Sequence, residues 1–83
     1  MNQRQELCAE ILEDVARVIS EELADAPPTM TEEARKAIED DLIGETTRML
    51  EAVSLQEMQS VGAQITHLAK TRAEVQRLIR FCH

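Results

Sequence analysis

An all-α fold, an antiparallel helical hairpin or a three-helix bundle, follows from three features of this 83-residue sequence. Apolar residues recur at helical spacing in three successive runs. Capping and breaking residues stand between those runs. Two glycines, two prolines and a single aromatic, Phe81, are too few for a turn-rich sheet protein or a Gly/Pro-rich disordered chain. Ten of the apolar residues are alanine, so bulk comes from Leu, Ile, Val and Met, which suits slim, close-packed helices. The length allows one small domain, residues 1–83, and a core this small is marginal for a lone monomer.

The first helix is expected over about 3–26. Cys8, Ile11, Leu12, Val15, Val18, Ile19 and Leu23 share one stripe, with Glu10, Glu13, Asp14, Arg17 and Glu21 opposite. Glu22 breaks the pattern by projecting into the apolar stripe. Pro27-Pro28 then stops the helix, because proline lacks an amide donor and disfavours helical backbone in the residue before it. Residues 26–30 read as the linker.

The second helix, about 31–53, has two candidate starts. Thr29 with Glu32 makes a capping-box pattern, and Thr31 is an alternative N-cap followed by Glu32 and Glu33, which suit the helix dipole. Its stripe is Ala34, Ile38, Leu42, Met49, Leu50 and Val53, with Thr46 inside it. Gly44 falls on the outer side.

Ser54-Leu55-Gln56-Glu57 is a further capping box, opening a third helix over about 55–82. No Pro or Gly marks the corner. A formed corner gives an up-down-up bundle; an unformed one gives a rod of about 78 Å over residues 31–82. Met58, Ile65, Arg72 and Ile79 recur every seven residues, interleaved with Val61, Leu68, Val75 and Cys82. That is a coiled-coil-like seam, which serves either the chain's own core or another chain. Gly62, Ala63, Ala69 and Ala73 permit close helix approach.

Arg72 sits on the seam among apolar neighbours, where a polar residue fixes register or partner choice. Glu22 and Arg72 lie fourteen residues beyond Cys8 and Met58 respectively, so a Glu22–Arg72 specificity pair, within the chain or between subunits, is expected if the first and third helices run parallel.

The net charge of −7 is unevenly spread. Residues 1–26 hold seven acids against Arg4 and Arg17, and residues 27–54 hold seven against Arg35, Lys36 and Arg48. Residues 55–83 reverse the sign, with Lys70, Arg72, Arg77 and Arg80 against Glu57 and Glu74. Such acidity disfavours direct nucleic-acid binding. The absence of an 18-residue apolar run argues against a membrane span, and the opening residues do not resemble a secretion signal. Cys8 and Cys82 show no metal-binding spacing, and with His67 and His83 they make at most half a site. Free thiols and a cytoplasmic location are therefore expected, with no cofactor and no metal.

The chemistry of catalysis is not written here. The acids lack Glu-x-x-His partners, the serines lack a Gly elbow, and two glycines cannot build a phosphate-cradling loop. The sequence reads as a non-enzymatic helical interaction module, a small regulator, adaptor, chaperone or anti-activator, that binds a protein partner and self-associates as a dimer. Its expected docking residues are Val61, Ile65, Leu68, Arg72, Val75 and Ile79. One alternative is an acidic inhibitor that occupies the nucleic-acid-binding surface of another protein through Glu10, Glu13, Asp14 and Glu21. Another is an oligomerisation subunit of a larger assembly.

Overall fold

The computed structural model describes residues 2–24 and 30–81. It is an all-α bundle of three helices, α1 (Gln3–Leu23), α2 (Glu32–Glu51) and α3 (Leu55–Phe81). The Pro27-Pro28 stop, the Thr29 start signal, Cys82 and His83 lie outside the described residues. The molecule measures 43 × 20 × 18 Å. The long axis is that of α3, whose 27 residues span about 40 Å.

Local chemistry sets each boundary. Asn2 caps α1 through a reciprocal box with Gln5: the Asn2 side chain accepts from the Gln5 amide at 2.9 Å, and the Asn2 amide donates to Gln5 Oε1 at 3.2 Å. Of the two candidate caps for α2, Thr31 is used, its Oγ1 accepting from the Ala34 amide at 3.1 Å. The corner between α2 and α3 does form. Ser54 Oγ accepts from the Glu57 amide at 3.2 Å and the Ser54 amide donates to Glu57 Oε1 at 3.3 Å, as the sequence pattern predicts.

Two arginines then cap helix C-termini from distant positions. Proline at 27 has no N–H to offer the Leu23 carbonyl, and Arg35 Nη2 donates to that oxygen at 3.2 Å. α1 ends at Leu23, with Ala24 as its C-cap. With the Ser54 amide committed to Glu57, the Leu50 carbonyl likewise lacks its helical donor. Arg4 Nη2 supplies one at 2.8 Å and also donates to the Val53 carbonyl at 3.0 Å. Each guanidinium places positive charge at the negative end of a helix dipole.

The core is the sum of three stripes: Ile11, Val15, Ile19 and Leu23 from α1; Ile38, Leu42 and Leu50 from α2; Met58, Ile65, Ala69 and Ala73 from α3. Cys8 and Leu12 pack at its edge. Each large side chain buried here contributes about 1.5–3 kcal/mol. Thr46 is the buried polar member of the described core, and its Oγ1 donates to the Leu42 carbonyl one turn back at 2.8 Å. α1 and α3 share the widest interface and run parallel, since Ile11 meets Gly62 near one end and Glu22 meets Arg77 near the other. Gly62 is what lets them close: a Cβ there would stand 3.2 Å from Ile11 Cδ1.

Candidate functional site

The buried stripe of α3 does not follow the seven-residue seam. Met58 and Ile65 are buried, and Val61 is half-buried, so the seam and the core coincide in the first half of the helix. Beyond Ile65 the core takes Ala69 and Ala73 instead. A straight helix turns every 3.6 residues, and a 3.5-residue pattern drifts around it by about 20° per heptad unless the helices supercoil. The later seam positions are therefore left outside. Leu68, Val75 and Ile79 are 42, 45 and 63% exposed, and Leu78 beside them is 43% exposed.

The end of α3 adds to this exposure. Extending the Ile11–Gly62 register puts Leu23, the last residue of α1, level with about residue 74, so Leu78 and Ile79 extend past α1. The outcome is an outward strip of large apolar side chains from Leu68 to Ile79, about 16 Å long. Below Leu68 it runs into a shallow hollow of about 560 Å³ lined by Ala63, Gln64, His67, Leu68 and Thr71.

Arg72 lies on the strip with its guanidinium turned toward α2, where Glu45 Oε1 meets Nη1 at 2.6 Å. Within the chain, the expected Glu22–Arg72 pair does not form. Glu22 is paired with Arg77, Oε1 to Nη2 at 3.1 Å, with both side chains mostly buried. The cause is side-chain direction. The same register places small Ala73 level with Glu22, and helical side chains lean toward their own N-terminus, so the long arm of Arg77 reaches back one turn. Arg77 Nε is buried without an acceptor among the described residues.

Of the six expected docking residues, Leu68, Arg72, Val75 and Ile79 share the outward strip. Ile65 belongs to the core, and Val61 packs against it. Leu78 and Glu45 were not foreseen. The drift of a heptad on a straight helix points to Leu78, three residues after Val75; no local signal links Glu45 to Arg72.

The acidic positions Glu10, Glu13, Asp14 and Glu21 are all exposed. Glu10 and Asp14 border a groove of about 420 Å³ between α1 and α3, floored by Leu7, Ile11, Met58 and Gly62. Asp14 Oδ1 accepts from Arg17 Nη2 at 3.1 Å. No group of three or more His, Cys, Asp or Glu converges on one point among the described residues. No described helix is long and apolar enough to cross a membrane.

Fold and strip together define a class, a small three-helix bundle with an apolar face turned outward. No protein-family model, curated protein or solved structure matches this chain.

Proposed function

We propose that this protein is a non-enzymatic helical protein–protein interaction module whose docking face is the outward strip of α3. One observation carries the reading: four large apolar side chains stand together on the outside of a small, charged protein, none of them a member of its core cluster. Scattered exposed apolar residues are ordinary, but a contiguous row is what a partner helix buries at i, i+3, i+4 and i+7 spacing. Arg72, held by Glu45, gives that row a fixed polar feature that selects among partners.

Site-specific photo-crosslinking tests it. A photoreactive residue at Val75 or Ile79 is expected to give a discrete adduct in the cells of origin, and one at Asp40, exposed on α2, none. Absence of an adduct at both strip positions overturns the reading.

The exposed acids of α1 support a second reading, charge mimicry against a basic protein. Salt separates the two, because the Debye length falls to about 3 Å at 1 M and a carboxylate-held partner would be released, whereas apolar docking persists.

A further inference from the structure

We propose that the strip on α3 pairs with the same strip of a second copy of this chain, the two helices running antiparallel. This rests on the docking-face reading above and names the occupant.

Charge sets this face apart. A chain of net charge −7 repels its own copies over most of its surface. The strip differs. Its flanking residues Gln64 and Thr71 are uncharged, and the charge of Arg72 is matched by Glu45 of the same chain. Residues 55–83 as a whole carry four bases against two acids. Two copies meeting here bring no carboxylate face against another.

Direction follows from Arg72. A parallel, in-register pair would set Arg72 against its own copy, like charge on like. An antiparallel pair centred between residues 73 and 74 sets Leu68 across from Ile79 and the stem of Arg72 across from Val75. Every large seam side chain then finds an apolar surface, and each guanidinium stays at the rim with its own Glu45. The size of the contact sets its strength. Four large side chains a side fall well short of the roughly 20–30 residues a side of a standard interface, which places the pairing in the weak, concentration-dependent range.

Sedimentation velocity on the intact chain, from about 5 μM to about 500 μM, reads the association directly. The expected result is a mass rising from 9.4 kDa toward twice that value across the series. Leu68→Glu and Ile79→Glu, both at exposed positions, are expected to stay monomeric with unchanged helical circular dichroism. Arg72→Leu is expected to tighten the dimer at least tenfold. Direction is read with L68C and I79C chains whose native cysteines are replaced by serine: an equimolar mixture should oxidise mainly to the mixed dimer. A monomer at every concentration, or like-with-like disulfides at residue 79, overturns the proposal. A monomer that still gives a foreign adduct at Ile79 removes self-pairing and keeps the docking face; neither association nor adduct removes both.

Discussion

Glu22 and Arg77 hold each other at the edge of the core, and neither belongs there alone. Their side chains are 13 and 19% exposed, dry enough that a lone charge is poorly solvated. Glu22→Leu strands the guanidinium, whose Nε already has no acceptor among the described residues, and is expected to cost about 2–3 kcal/mol in urea unfolding. Adding Arg77→Met removes the stranded charge and is expected to recover most of that loss; a double variant as unstable as the single would show that the pair is not the cause. Thr46 poses the opposite case. Its hydroxyl bonds a carbonyl that the helix ladder also serves, so Thr46→Val leaves no orphan and is expected to be neutral or stabilising by up to about 1 kcal/mol in the same assay.

At the scale of elements, the two glycines separate propensity from packing. A Cβ at Gly44 would meet only Arg48 Nη1, at an ordinary 3.7 Å, so Gly44→Ala is expected to stabilise α2 by about 0.5–1 kcal/mol. At Gly62 the 3.2 Å approach of Ile11 opposes the same gain, and Gly62→Ala is expected to yield less or to destabilise; equal gains at both sites would show that α1 and α3 are not closely packed there. The boundaries most legible in sequence were those written locally. Ser54 and Glu57 form their box three residues apart, as read from the sequence; Asn2 and Gln5 form one at the same spacing that the sequence reading did not pick out, because an Asn/Gln pair is a less familiar form of the box. The caps from Arg4 and Arg35 were not legible, because they depend on which helix ends meet: Arg4 reaches a carbonyl 46 residues away. The strip was half legible. The seven-residue repeat located Leu68, Arg72, Val75 and Ile79, but repeat and burial part company after Ile65, where Ala69 and Ala73 give α1 a closer seat than larger side chains would. The partner of Glu22 was missed for a related reason, since an offset of 51 residues and a back-leaning arginine select Arg77 over Arg72.

For the whole molecule, charge and apolar surface pull in different directions with salt. Residues 1–54 carry fourteen acids against five bases, and both helices built from them flank the same core. The ion pairs among the described side chains, Asp14–Arg17, Glu45–Arg72 and Glu22–Arg77, engage three of those acids. Two of the three are exposed enough that each contributes little, about 0–1 kcal/mol. Self-repulsion therefore outweighs attraction, and screening should help the fold. Raising sodium chloride from about 10 mM, where the Debye length is ~30 Å, to about 1 M, where it is ~3 Å, is expected to raise the melting temperature of the dilute monomer. The same titration should leave association through the α3 strip intact or strengthen it, because apolar burial is not screened. Differential scanning calorimetry and sedimentation along one salt series read both. A melting temperature that falls with salt would mean that ion pairs hold the bundle together, and association that vanishes with salt would move the docking face from the strip to the acidic side of α1.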